Sequence, residues 1–216
     1  AMVAKALKPS VRVVAVQAAG AAAYPPSLEA GAPQRLPSMA TMADGIAVGQ
    51  PGVVPFALVR DLIDEVLTVT EEELSRALLL LLERSKLLVE PGGAAATAAV
   101  WAHPELFPGT TVATLSGGNI DPLLLMRVIR HGLAAAGRYM SISVRVLDSP
   151  GSLARLLSDI GSAGANVVEV EHLRTDPRLA VDEVEIALQL ETRGPSHRTA
   201  VLELLRSHGY AVHVTA

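Results

Sequence analysis

The sequence of 216 residues contains no cysteine, and only 3% of its residues are aromatic. The lack of cysteine excludes disulfide bonds and metal sites built from thiolates. Because half of the residues are apolar and so few are aromatic, alanine, valine and leucine must build the core. This composition is typical of helices packed on a largely parallel sheet, whose buried strands appear as short Val/Ile/Leu runs.

Strong positive charge and long apolar runs are also missing. The net charge is -4, so no overall basic field attracts nucleic acid. The most apolar run, residues 77–82, is far shorter than the roughly 20 residues of a membrane-spanning helix. We therefore expect neither nucleic acid nor a membrane as a partner, and the lack of a signal peptide and of cysteine favours the cytoplasm. The six histidines show no metal-ligand spacing, so we predict no metal site.

The first part of the chain alternates between predicted strands and predicted helices, which indicates a parallel α/β layer. Thr70 followed by Glu73 predicts a capping box at the start of a helix that ends near Ser85. The proline pair 25–26 is expected to end a short helix over residues 18–24. Strands are predicted over residues 11–16, 65–69 and 111–115, and further helices over 54–62, 94–102 and 122–132.

The pattern changes after Gly137. Residues 139–147 alternate between apolar and polar side chains, which predicts a strand with one buried face. The remaining predicted elements are a helix over 152–163, strands over 166–173 and 181–191, a helix over 195–208 and a strand over 210–214. The order β-α-β-β-α-β is that of the ferredoxin-like split arrangement. We therefore predict two domains, residues 1–135 and 136–216.

A turn with the sequence Asp-Ser-Pro-Gly-Ser-Leu, residues 148–153, joins the first strand and first helix of the second domain. A helix start exposes N–H groups that can hold the carboxylate of a small ligand, although an ordinary helix-capping turn has the same form. In this topology the turn, with Gly164-Ala165-Asn166, resembles the ACT family of regulatory domains. The resemblance implies either assembly alone or an amino-acid effector site at a dimer interface, lined by Asp148, Pro150, Gly151, Leu153, Asn166 and Val167.

Three segments of the first domain resemble, in order and spacing, the second half of the threonine dehydratases and serine racemases. They are residues 41–48 (Thr-Met-Ala-Asp-Gly-Ile-Ala-Val), residues 87–95 (Leu-Leu-Val-Glu-Pro-Gly-Gly-Ala-Ala) and residues 115–121 (Leu-Ser-Gly-Gly-Asn-Ile-Asp). These families share the fold-type II pyridoxal-phosphate fold. The predicted fold class is therefore α/β, with part of a fold-type II domain followed by a ferredoxin-like ACT domain. The resemblance implies that Ser116 bonds the pyridine nitrogen of the cofactor and that Gly117, Gly45 and Glu90 lie beside it.

The chain also departs from that family. The family attaches pyridoxal phosphate to a lysine within Ser-Phe-Lys-x-Arg-Gly and grips the phosphate with a Gly-rich loop. None of Lys5, Lys8 and Lys86 has this context, and no such loop occurs. Because residues 1–8 read as the end of a helix without a capping residue, we expect sequence upstream of Ala1; the alternative is a short, frayed N-terminal helix.

The ACT-like second domain points to threonine dehydratase rather than serine racemase. The expected function of the full protein is the conversion of threonine to 2-oxobutanoate and ammonia, with pyridoxal phosphate as cofactor. We also expect regulation by an amino acid and assembly into a dimer or tetramer. This chain alone is predicted to be inactive, with no catalytic residue of its own. The alternatives are a non-catalytic fragment that binds amino acids or mediates assembly, and a serine dehydratase.

Overall fold

A computed structural model describes residues 1–174 and 179–215. The chain divides into two compact units, residues 1–129 and 130–216. Among the described residues, no helix is both long enough and apolar enough to span a membrane.

The first unit contains two strands and a set of helices. Strands β1 (Val14–Ala18) and β2 (Glu65–Val69) pair in parallel, with Val14 opposite Glu65. The helices are α1 (Met2–Leu7), α2 (Tyr24–Ala30), α3 (Val53–Val59), α4 (Glu71–Leu80), α5 (Pro91–Ala102) and α6 (Pro122–Ala135), the last of which ends in the second unit. A π-helical turn, Leu81–Ser85, continues α4, and 3₁₀ turns occupy Ala19–Ala21, Asp44–Ile46 and Pro104–Leu106.

The start of α4 confirms the predicted capping box. The Glu73 backbone N–H donates to the Thr70 hydroxyl at 3.2 Å, and the Thr70 backbone N–H donates to the Glu73 carboxylate at 2.7 Å. Two donors at the helix start are therefore satisfied reciprocally. This local signal fixes where α4 begins.

The core of the first unit is built from small and aliphatic side chains, as the composition predicts. α5 contributes Ala95, Ala98 and Ala99, which pack with Leu74 of α4 and Val69 of β2. Because alanine adds little bulk, α5 lies close to both α4 and the two strands.

Three predictions for the first unit are wrong. Residues 111–115 form no strand. An open cavity of about 440 Å³ separates this segment from β1, and a strand needs a neighbouring edge for its hydrogen bonds. The proline pair 25–26 begins α2 instead of ending a helix, because proline is tolerated in a first helical turn. β1 begins at Val14, three residues later than predicted.

The second unit is an antiparallel sheet with two helices. Its elements are β3 (Tyr139–Leu147), α7 (Ser152–Ser162), β4 (Asn166–Leu173), β5 (Glu183–Glu191), α8 (Pro195–Ser207) and β6 (Ala211–Val214). They follow one another as predicted, and the strand order in the sheet is β4-β5-β3-β6. Alternate residues of β3 and β5 pack against Leu156 and Ile160 of α7 and Val201 and Leu205 of α8. The helices thus cover one face of the sheet.

Candidate functional site

Three separate segments of the first unit meet at the start of α5. Glu90 directly precedes α5, and its backbone N–H donates to the carbonyl of Gly117 at 3.1 Å. This hydrogen bond fixes residues 115–118 beside the start of the helix. The 3₁₀ turn that contains Gly45 approaches Glu90 as well.

Gly45 and Gly117 have no side chains, and this leaves space for the side chain of Glu90. A Cβ atom at Gly45 would lie 2.9 Å from the Glu90 Oε1 atom, and one at Gly117 would overlap the same carboxylate. Gly117 also has φ = +69°, a conformation that side chains disfavour. The carboxylate of Glu90 therefore lies directly against two glycine backbones. All three of these residues were predicted to lie at one site, and the structure brings them together.

Gly93 is a site residue that the sequence analysis did not identify. A Cβ atom at this position, inside the first turn of α5, would overlap the carbonyl oxygen of Ser116. Only glycine lets the helix approach Ser116 this closely. The feature that could have identified Gly93 is the glycine pair at the start of a helix, because glycine is unfavourable in a helix unless close packing requires it. The sequence pattern alone places this pair in a turn before the helix.

The Ser116 hydroxyl is exposed at this site and forms no hydrogen bond with any residue that the structure describes. The three lysines lie elsewhere. Lys5 forms an ion pair with Asp64 at 2.7 Å, Lys86 donates to the Glu83 carbonyl at 2.8 Å, and Lys8 lines the cavity beside β1. The cluster therefore offers a free hydroxyl and a carboxylate, but no amine.

A comparison with known proteins identifies the fold of the first unit. The profile of the family described as pyridoxal-phosphate dependent enzyme matches residues 1–118, more than half of the chain. The chain belongs to this family. Its members depend on pyridoxal phosphate, which agrees with the resemblance drawn from the sequence.

Two curated relatives within the family share one name. The chain is 44% identical to L-threonine ammonia-lyase of Geobacter sulfurreducens over 95% of this chain and 52% of the relative. It is 37% identical to that of Thermotoga maritima over 97% of this chain and 52% of the relative. The crystal structure of T.th. threonine deaminase matches with a TM-score of 0.53 and 42% identity, over 55% of this chain and 43% of that one. The predicted resemblance to threonine dehydratases is therefore confirmed. The chain spans about half the length of the curated relatives it matches.

The cluster around Glu90 fits part of the family's cofactor. A hydroxyl without a partner suits a heteroaromatic nitrogen, and glycine backbones allow a flat ring to approach closely. The described residues of the cluster supply no amine for covalent attachment and no glycine-rich loop for the phosphate. The roles of Ser116, Gly117, Gly45 and Glu90 toward the cofactor stay predictions.

In the second unit, four of the predicted effector residues line one cavity. Asp148, Pro150, Gly151 and Leu153 surround a space of about 220 Å³ at the start of α7. His172 and Arg174 from the end of β4 line it too, and the Arg174 guanidinium lies 3.2 Å from the Asp148 carboxylate. The cavity combines a cation, an anion and two hydroxyls with an aliphatic floor, to which Leu153, Val184 and Ile186 contribute.

The other two predicted effector residues, Asn166 and Val167, lie at the opposite end of the sheet. Asn166 pairs with Glu191, which pairs with Tyr139 at the start of β3, whereas Asp148 follows the end of β3. A nine-residue strand separates the two places, roughly 26 Å at 3.3 Å per residue. One chain therefore does not bring the two halves of the predicted effector site together. Among the residues described, no group of three histidine, aspartate or glutamate side chains could hold a metal ion.

Proposed function

We propose that this chain is part of a threonine ammonia-lyase, which converts threonine to 2-oxobutanoate and ammonia. The observation that carries the proposal is the packing of Glu90 against Gly45 and Gly117, beside the Ser116 hydroxyl without a partner among the described residues. The names and identities of the two curated relatives support the choice of substrate.

The residues of the cluster have distinct roles in this proposal. Bound pyridoxal phosphate supplies an electron sink for negative charge at the substrate's α carbon. The Ser116 hydroxyl donates a hydrogen bond to the ring nitrogen and, being neutral, does not favour its protonation. Gly45 and Gly117 keep the ring face clear of side chains, and Glu90 fixes the segment that carries Ser116.

We further propose that catalysis requires residues from outside this chain. The lysines contact or line other places: Lys5 pairs with Asp64, Lys86 donates to the Glu83 carbonyl, and Lys8 lines the cavity beside β1. The lysine that carries the cofactor and the loop that binds its phosphate would belong to the remainder of a longer polypeptide. Without them, this chain should not turn over threonine.

Residues 136–216 form, in our proposal, a ferredoxin-like ACT domain that regulates the enzyme. The β-α-β-β-α-β order and the cavity beside Asp148 support this assignment. The expected effector is an aliphatic amino acid such as isoleucine or valine, because the cavity has apolar side chains beside its charged groups. A site that needs both Asp148 and Asn166 would require a homo-oligomer.

A chimaera tests the catalytic proposal. This chain replaces the matching half of the Geobacter sulfurreducens enzyme, and release of 2-oxobutanoate from threonine and of pyruvate from serine is measured. We expect threonine to be the better substrate and the chain alone to be inactive. A folded chimaera that binds the cofactor but leaves threonine unchanged would refute the proposal, and a strong preference for serine would favour a serine dehydratase.

The variant Ser116→Ala in the chimaera tests the proposed contact to the ring nitrogen. Loss of one hydrogen bond costs about 0.5–1.5 kcal/mol, which is roughly a two- to twelvefold weaker cofactor affinity. Ser207→Ala is the control, because the Ser207 hydroxyl donates only to the Leu204 carbonyl of its own helix. Equal cofactor affinities in the two variants would remove the role given to Ser116.

A further inference from the structure

The turn that leads from α7 into Asn166 is held by the residues that connect β5 to α8. His197 of α8 places its Nε2 atom 2.8 Å from the carbonyl oxygen of Ala163, a carbonyl that the end of α7 leaves without a helical donor. The Nδ1 atom of His197 accepts the backbone N–H of Arg193 at 3.0 Å. Because Nδ1 is an acceptor, the proton of the neutral ring lies on Nε2 and is donated to Ala163. His197 thus links the turn at residues 163–165 to Arg193.

The side chain of Arg193 lies beside the same turn. Its Nε–H donates to the Nδ1 atom of His197 at 3.5 Å, and its Nη2 atom lies 3.3 Å from the place that a Cβ atom at Gly164 would occupy. Gly164 has φ = +75° and no side chain, so the guanidinium group approaches the backbone of the turn. Arg193 is therefore oriented by the fold, next to the turn that delivers Asn166.

This guanidinium group is exposed, and within residues 1–174 and 179–215 it forms no ion pair. Arg174, the cation at the other part of the predicted effector site, lies 3.2 Å from the Asp148 carboxylate. A paired cation would have to exchange its own carboxylate for that of a ligand, whereas an unpaired cation gains a new charge-assisted hydrogen bond. A ligand carboxylate is therefore bound more favourably by Arg193 than by Arg174.

We infer that Arg193 binds the carboxylate of the amino-acid effector and thereby selects ligands that have a free α-carboxylate. The inference rests on the proposed regulatory function of residues 136–216. In a site shared between two chains, one chain contributes Arg193 and Asn166, and the other contributes the turn with Asp148. The planar guanidinium group can form two parallel hydrogen bonds with a carboxylate, which the ammonium group of a lysine does not reproduce.

Calorimetric titration of the full chain with isoleucine and with isoleucinamide tests this inference, because the amide replaces the carboxylate by an uncharged group. We expect the parent chain to bind isoleucine at least about tenfold more tightly than isoleucinamide. Arg193→Gln should lose this preference, and Arg193→Lys, which keeps the charge, should retain part of it. Arg198→Gln is the matched control, since it removes a positive charge from α8 and leaves the bond from the Arg198 backbone N–H to the Gly194 carbonyl in place.

The outcomes separate this inference from the function on which it rests. A preference for isoleucine that persists in Arg193→Gln would overturn the role of Arg193 and leave the effector site standing. The same loss in Arg193→Gln and Arg198→Gln would also overturn it, because a general loss of positive charge would then be the cause. No binding of isoleucine by the parent chain would refute the proposed regulatory function and this inference together. The readout is binding, so the result is independent of catalytic activity.

Discussion

At the scale of single residues, Gly117 is the most constrained position of the candidate site. It combines a positive φ with a direct approach to the Glu90 carboxylate. Gly109 has a similar conformation, φ = +86°, but no atom lies within 4 Å of the place where its Cβ would stand. Substitutions at these two glycines therefore separate the cost of backbone strain from the cost of steric overlap.

We expect Gly117→Ala to lower the free energy of unfolding more than Gly109→Ala does. Both variants introduce the strain of a left-handed conformation, about 1–2 kcal/mol, but only the first also forces Glu90 to move, which adds about 1–3 kcal/mol. Urea unfolding followed by the fluorescence of Trp101, the sole tryptophan, reports on this unit. The double variant Gly117→Ala/Glu90→Ala should recover the additional loss. Equal losses for the two single variants would show that Glu90 does not press on Gly117.

The carboxylate of Asp159, in the second unit, has two partners that can make stability depend on pH. The Tyr210 hydroxyl donates to it at 2.8 Å, and the His208 Nδ1 lies 3.2 Å away. The hydrogen bond from Tyr210, assisted by His208, lowers the pKa of Asp159 below 3.8, and burial together with Asp159 raises the pKa of Tyr210 to about 12. A carboxyl group whose pKa is lowered by folding stabilises the folded state above its unfolded pKa, and this stabilisation is lost as the pH falls through the folded pKa.

We therefore expect Tyr210→Phe to unfold at a lower temperature than the parent chain at pH 7, with a difference that narrows below about pH 3.8. Circular dichroism at a series of pH values measures both unfolding temperatures. Tyr139→Phe is the control, because the Tyr139 hydroxyl bonds the uncharged side chain of Gln189. If the effect of Tyr210→Phe were as independent of pH as that of the control, Asp159 would not be its partner.

At the scale of elements, the contribution of the capping box to α4 can be tested separately from the packing of that helix. We expect Thr70→Ala to lower the free energy of unfolding of the first unit by about 1 kcal/mol, because an N–H at the start of α4 loses its acceptor. Thr70→Ser keeps a hydroxyl in place and should cost much less. Trp101 fluorescence in urea compares the three chains, and equal midpoints for all of them would mean that packing alone positions α4.

The elements that could be predicted from the sequence are those whose cause lies within a few residues. The capping box located α4, and the alternation over residues 139–147 located β3 at both ends. Residues 111–115 have a strand's composition, but no strand of the described residues pairs with them. The sequence of residues 111–115 therefore predicted their strand propensity correctly but their structure wrongly.

The residues of the candidate site also divide into those that the sequence predicted and those whose role depends on distant contacts. Gly45, Glu90, Ser116 and Gly117 could be found through the family resemblance, because each belongs to a short motif. Gly93 lies in the same motif as Glu90, but the resemblance gave it no role, because its importance comes from the approach of α5 to a carbonyl in a distant segment. Arg174 could not be found either, because only the pairing of β4 with β5 returns it to the turn beside Asp148.

At the scale of the whole molecule, Asp148 and Asn166 lie roughly 26 Å apart within one chain, which is too far for both to contact one amino acid. If both residues contact one amino acid, the two must come from different chains. In a two-fold dimer each site would then take Asp148 from one chain and Asn166 from its partner.

Mixing two variants tests this arrangement. We expect Asp148→Ala and Asn166→Ala each to abolish isoleucine binding in calorimetry, because every site of a homodimer then lacks one contact. After the two chains are mixed and allowed to exchange, half of the dimers are mixed, and each mixed dimer contains one intact and one doubly altered site. About one quarter of the original binding capacity should therefore return. Capacity that stays at zero in a demonstrated mixed dimer would exclude a shared site.

Among the described residues β1 pairs only with β2, so its other edge is open to the cavity, and this affects the solubility of the chain. Unpaired strand edges are where proteins stack on copies of themselves, and cationic side chains are a common defence. Lys8 and Arg12 line the cavity at this edge, and because Arg12 already forms an ion pair with Glu65, Lys8 is the charge that two molecules approaching edge to edge bring together. Such repulsion acts over about 10 Å at 0.1 M salt and only about 3 Å at 1 M. The isolated chain should therefore stay dispersed in dilute buffer and precipitate as added salt screens the repulsion between the Lys8 side chains.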